Sequence, residues 1–143
     1  VSSQTRFDRL REICEKFNVA ILYVFGSRAE EVKKWMREEI ESLSPGSSDV
    51  DVGVKPMPGF HLTVRDKVRL AIALEDLLDV ERVDLIVLPE ASPFLAANIV
   101  RGERLYAENE DMADEYDLYI LRRAGDLAPL ERERIELILG VKA

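Results

Sequence analysis

The chain has 143 residues, 47% hydrophobic and 34% charged, a balance that suits one globular domain with a buried core rather than a disordered segment. Acidic residues outnumber basic ones 28 to 20, and the net charge of −8 argues against broad nucleic-acid binding, which needs clustered Lys and Arg. The longest apolar runs are too short to span a bilayer, and nothing near the start reads as an export signal. The expected compartment is therefore the cytoplasm, without membrane contact.

In chain order, Phe7, Leu10, Cys14 and Phe17 fall at helical spacing and predict a first helix over about residues 4–17. The lone Cys14 lies on that stripe and reads as a buried thiol. Val19 to Phe25 is an apolar, β-rich run ending at Gly26, which predicts a buried strand. Val32, Trp35, Met36, Ile40 and Leu43 trace one face of a second helix that Pro45-Gly46 ends, with Trp35 in the core. Val50, Val52 and Val54 then alternate with Asp49, Asp51 and Gly53, giving a strand with two unlike faces. A Pro/Gly loop at 56–59 and a solvent-exposed His61 lead to a third helix, whose expected stripe is Val64, Val68, Ala71, Ile72, Glu75 and Leu78. Arg82 to Leu88 is the next strand. Ser92-Pro93 opens and Gly102 stops a short helix, and residues 102–108 read as a short edge strand.

The last 30 or so residues are expected as two helical pieces broken near Gly125 to Pro129. Their acidic start, at Glu110, Asp111, Asp114, Glu115 and Asp117, suits the positive end of a helix or a basic partner. Met112, Tyr116, Tyr119 and Ile120 form a stripe that either packs on the domain or serves as a docking face. The fold class expected is α+β with α/β-like alternation: a small mixed β-sheet flanked by helices, with a helical C-terminal tail. It forms a single domain over 1–143, with a core at about 5–108 and a tail at about 109–143.

Chemistry concentrates at three places. Asp49 and Asp51 lie two apart on one strand, so both leave the same face, where paired carboxylates repel unless a cation or proton lies between them. Hard oxygen ligands of this kind suit Mg²⁺, which completes its shell with phosphate and water. Gly26 and Ser27 end one strand and open a helix, where free backbone N–H groups, the helix dipole and the Ser27 hydroxyl favour phosphate. Asp84 sits in the otherwise apolar Val83-Asp84-Leu85-Ile86-Val87, and a buried Asp needs a partner, a cap or a metal. From a third strand it would face Asp49 and Asp51, and three carboxylates can hold two metal ions. Lys55, after the acidic strand, either touches phosphate or is solvated.

Val24-Phe25-Gly26-Ser27-Arg28-Ala29, then Ser48-Asp49-Val50-Asp51-Val52-Gly53-Val54, then Asp84, resembles the polymerase-β-type nucleotidyltransferase superfamily. The short chain resembles its minimal nucleotidyltransferase (MNT) branch and the antitoxin half of HEPN/MNT toxin–antitoxin pairs. The likeness spans roughly residues 5–108 and includes Ser92-Pro93 and Gly102-Glu103-Arg104-Leu105-Tyr106. It implies a nucleotidyltransferase fold, metal binding and catalysis by Asp49, Asp51 and Asp84, and nucleotide binding by Gly26, Ser27, Arg28 and Ser48. ATP would be the substrate, two Mg²⁺ the cofactors, and the tyrosine of a HEPN-type toxin the acceptor of AMP. An antitoxin that neutralises its partner by occlusion is the alternative. One departure is visible: the link from Glu30 to Ser47 is longer than the family's usual connection.

Overall fold

The computed structural model describes residues 4–45 and 49–140. Helix α1 spans Arg6–Lys16 and is capped at Thr5, whose hydroxyl accepts from the Asp8 amide while the Asp8 carboxylate accepts from the Thr5 amide. Strand β1 is Val19–Phe25, α2 Ala29–Met36, β2 Val50–Pro56, α3 Val64–Leu78 and β3 Val83–Val87. A 3-10 turn at Leu88–Glu90 leads to α4 at Pro93–Val100, β4 at Glu103–Ala107 and α5 at Glu110–Leu139.

The four strands lie in the order β3-β2-β1-β4. β1 runs antiparallel to both β2 and β4, and β2 runs parallel to β3, so the sheet is mixed. Strand alternation divides the core in two. Val50, Val52 and Val54 join Leu10, Cys14, Trp35 and Leu74 under α1, α2 and α3. Ile21, Tyr23 and Phe25 face the other way and meet Ile99, Ala113 and Ile120 of α4 and α5. Cys14 is fully buried, and burial drives its thiol pKa upward, which fits an inert core residue. No helix of the described residues is long and apolar enough to cross a membrane.

Three expectations need correction. α2 stops at Met36 rather than running to Leu43, and Glu38 adopts φ 60°. The Arg6 guanidinium, arriving from α1, takes the carbonyls of Trp35 at 2.7 Å and Ile40 at 2.8 Å, while Trp35 Nε1 donates to Glu41 O. These bonds replace the helical ones, and Ile40 and Leu43 still pack on the core from irregular backbone. In α3 the buried face is Leu70, Leu74, Leu77 and Leu78, whereas Val64, Val68 and Ile72 are exposed. The helix has two apolar stripes, and the one richer in Leu meets the sheet. Finally, α5 is a single helix with Pro129 inside it. Pro129 removes the N–H bond to the Gly125 carbonyl and crowds that carbonyl, a local cost that the helix absorbs without ending.

Candidate active site

Gly26, Ser27, Asp49, Asp51 and Asp84 gather at one end of the sheet. β1 delivers Gly26 at its C-terminal end, and antiparallel β2 starts beside it, with Phe25 opposite Asp51. Parallel pairing then sets Asp51 opposite Asp84 of β3. The shared face is dictated by alternation: Asp51 and Asp84 leave the side that faces α4 and α5, because their Val neighbours are committed to the opposite core.

The Asp51 carboxyl is pushed above its ordinary pKa by burial first, then by the negative charges of Asp84 and Asp49. Asp49 lies one step beyond the ladder, and its Oδ2 stands 3.5 Å from Arg82 Nε. Arg82 was expected only as the start of the strand that holds Asp84, and its contact with Asp49 was not. Among the described residues no three Asp, Glu, His or Cys side chains already form a metal-ligand set. The donor chemistry nonetheless fits a hard divalent cation: three carboxylates crowd one strand end, and the middle one is destabilised as an anion. The Asp49–Arg82 contact is a surface pair of low intrinsic strength.

Gly26 is fitted to Asp51. Its φ is +78°, and a methyl group built there would run into Asp51 Oδ2. Ser27 is exposed in the turn that follows, and α2 begins two residues later. Arg28 is buried, with Nη2 donating to Ser44 O at 2.7 Å and lying 3.4 Å from Glu31 Oε1. Glu31 in turn accepts from the Ser44 amide and hydroxyl; burial pulls its pKa up, but these bonds outweigh that and lower it. Arg28 thus holds the segment that leads toward β2. Ser48 lies outside the described residues.

α4 closes this end of the sheet. Gly53, between Asp51 and Lys55 on β2, lets Ile99 settle onto the strand, where a Cβ would come within 2.5 Å of Ile99 Cγ2. Lys55 is consequently on the far side of α4 from the carboxylates, its Nζ 5.6 Å above the Tyr116 ring and donating to Pro56 O. His61 is exposed, as its loop position suggested.

The acidic start of α5 has a partner within the chain. Arg104 of β4 donates to Asp117 at 2.9 Å, Asp114 at 2.7 Å and Glu110 at 3.0 Å. Tyr23, fully buried on β1, donates its hydroxyl to Asp117. This network fastens α5 across the sheet. Sequence reasoning missed it, because Tyr23 and Asp117 lie 94 residues apart.

A family model described as polymerase beta nucleotidyltransferase matches residues 8–111. No curated protein sequence matches the chain. Among solved structures, a chain from a toxin–antitoxin complex with AMP-PNP superposes with a TM-score of 0.68 at 19% identity, covering 93% of this chain and 98% of its own. A chain from the tri-AMPylated Shewanella oneidensis HEPN toxin in complex with MNT antitoxin gives 0.65 at 18% identity, covering 94% and 96%. A minimal nucleotidyltransferase gives 0.51 at 28% identity, covering 68% of this chain and 86% of its own. The similarity to the toxin–antitoxin chains is one of fold.

Proposed function

Because the chain belongs to the polymerase beta nucleotidyltransferase family, to which residues 8–111 assign it, we propose that it moves AMP from ATP to a hydroxyl group. The favoured acceptor is a tyrosine of a HEPN-type partner, which would make the protein an antitoxin. One observation carries the reading: the register that sets Asp51 beside Asp84 also brings Gly26 against Asp51. The Gly26-Ser27 turn and the start of α2 supply backbone N–H groups and a hydroxyl to the phosphates. Asp84, exposed at the strand end, accepts a hydrogen bond from the incoming acceptor hydroxyl. The acceptor oxygen bonds the α-phosphorus as the bond to pyrophosphate breaks, and the acceptor proton passes to the Asp84 carboxylate or solvent. Magnesium held by Asp49, Asp51 and Asp84 would neutralise the triphosphate and make the acceptor hydroxyl more acidic.

Incubation with α-labelled ATP, Mg²⁺ and a HEPN-type protein tests this. Label should appear on the partner and disappear with EDTA or in the Asp49→Ala/Asp51→Ala double variant. Absence of label from the wild-type reaction would end the catalytic reading.

One observation favours the alternative of neutralisation by occlusion. Arg28 is committed to Ser44 and Glu31, and the first turn of α2 carries Glu30 and Glu31, which oppose an anion there. On that reading the partner is neutralised equally well by Asp84→Asn, whereas the enzymatic reading requires neutralisation to fall.

A further inference from the structure

The α5 stripe of Met112, Tyr116, Tyr119 and Ile120 takes no part in the site at the carboxylates, and the structure divides it. Ile120 is buried in the core, Tyr116 is half-buried, and Met112 and Tyr119 stay exposed. Around these side chains lie two cavities that have Lys55 and Tyr116 as a common wall. The smaller, of about 170 Å³, is bounded by Ala20, Ile21, Met57, Met112 and Ala113. The larger, of about 340 Å³, lies between α4 and α5 and is bounded by Leu88, Ala96, Tyr119 and Arg123.

The charge of this cleft is opposite to that of the chain as a whole. Acidic residues outnumber basic ones 28 to 20, and Arg104 alone takes three carboxylates of α5. Lys55 and Arg123 nevertheless have no carboxylate partner among the described residues. Lys55 Nζ donates to Pro56 O at 3.0 Å and lies 5.6 Å from the Tyr116 ring centroid, while the Arg123 guanidinium lies 5.8 Å from that of Tyr119. Aromatic faces hold these cations without neutralising them. Lys55 is half-buried, where an arriving anion attracts it more strongly than it would in open water. The Tyr116 hydroxyl has no hydrogen-bond partner among the described residues, and burial pushes its pKa up to about 12, so it keeps its proton as a donor. Glu108 is the one carboxylate residue on either wall, and it is exposed.

We propose that the paired cavities bind a small aromatic carboxylate, with its ring in the smaller cavity and its carboxylate at Lys55 and Tyr116. Arg123 adds a second positive charge from the wall of the larger cavity. An apolar cavity of about 150 Å³ admits benzene, so the smaller cavity matches a single six-membered ring. Met57 and Met112 border it with polarisable thioethers, which make favourable contacts at ring edges. The site is distinct from the acidic one, because Ile99, seated on Gly53, separates Lys55 from Asp51. The proposal therefore stands independently of the nucleotidyl-transfer reading. Occupancy would tie β2 to α5 one residue from Asp117, which Arg104 and Tyr23 already fasten to the sheet, and so stabilise the folded chain.

A titration of the full chain with phenylacetate, followed by NMR of carbon-labelled methionine methyl groups, tests the proposal. The chain has three methionines: Met57 and Met112 border the smaller cavity, and Met36 is buried in the core on the opposite face of the sheet. Phenylacetate should shift the Met57 and Met112 signals to saturation and leave Met36 in place. Phenylacetamide, which keeps the ring and lacks the charge, should bind at least about tenfold more weakly, as should phenylacetate to the Lys55→Gln/Arg123→Gln double variant. The comparison of acid with amide uses the wild type, so it decides even where the variant does not fold. Unmoved Met57 and Met112 signals, equal movement of all three, or equal affinity for acid and amide would each overturn the proposal.

Discussion

Replacing Gly26 by Ala separates two roles that the structure gives this residue. A non-glycine residue in the left-handed region costs about 1–2 kcal/mol. With an unfolding entropy of about 2.1 cal/mol/K per residue over 143 residues, that loss lowers Tm by about 3–7 °C. The added methyl also meets Asp51 Oδ2, so the carboxylate must leave its place beside Asp84. Gly59 supplies the control: its φ is +82°, and nothing lies within 4 Å of a Cβ built there. Gly59→Ala should therefore show a similar Tm loss and full metal-dependent nucleotide binding. Gly26→Ala should bind nucleotide in the presence of Mg²⁺ at least about tenfold more weakly. Thermal denaturation and equilibrium nucleotide binding on the two variants measure both quantities. If the two variants lose stability and binding alike, the fit of Gly26 to Asp51 has no functional consequence and the argument built on it is wrong.

Three further outcomes follow from named contacts. Asp51→Asn should raise the Tm of the metal-free protein at pH 7 by about 1–3 °C, because it removes an anion that burial, Asp84 and Asp49 disfavour, while lowering transfer by about 100-fold or more. The sign follows from the upward shift: the wild type gains stability as pH falls through the raised Asp51 pKa toward the ordinary 3.8, so the difference between wild type and variant should shrink there. Arg104→Met leaves Asp117, Asp114 and Glu110 facing one another and should cost about 1–3 kcal/mol in denaturant titration, whereas Tyr23→Phe, which removes one bond to Asp117, should cost about 1 kcal/mol. Pro129→Ala should slow amide exchange across the distal part of α5 yet change global stability by less than about 0.5 kcal/mol, since no described residue beyond Ala124 belongs to either core cluster.

The strands and the acidic pair were legible in the sequence because their signals are local. Val19–Phe25 is apolar from end to end and stops at a glycine with positive φ. The Asp49/Asp51 alternation gives two faces without any tertiary knowledge, and only the partner of Asp51 needed the sheet to reveal it. The errors arose where a distant residue decided the outcome. Ile40 and Leu43 continue a helical pattern that the Arg6 guanidinium interrupts from another element. α3 offers a Val/Ile stripe and a Leu stripe, and spacing alone does not say which one meets the sheet. Lys55 shares β2 with Asp51 but is separated from it because Gly53 admits Ile99 between them. Arg104 is legible in the sequence only as part of the Gly102–Tyr106 likeness, and its three carboxylate partners become recognisable only once α5 crosses β4.

We propose that Asp49, Asp51, Asp84 and the Gly26-Ser27 turn form one metal–triphosphate site. Titrating Mn²⁺ by the electron paramagnetic resonance of the free ion, with and without a non-hydrolysable ATP analogue, tests it directly. The wild type should take up Mn²⁺ with the analogue present, Asp51→Asn and Asp84→Asn should lose about tenfold or more in that affinity, and Lys55→Gln should keep it. Uptake that is absent from the wild type, or equal in the wild type and both aspartate variants, would contradict the assignment.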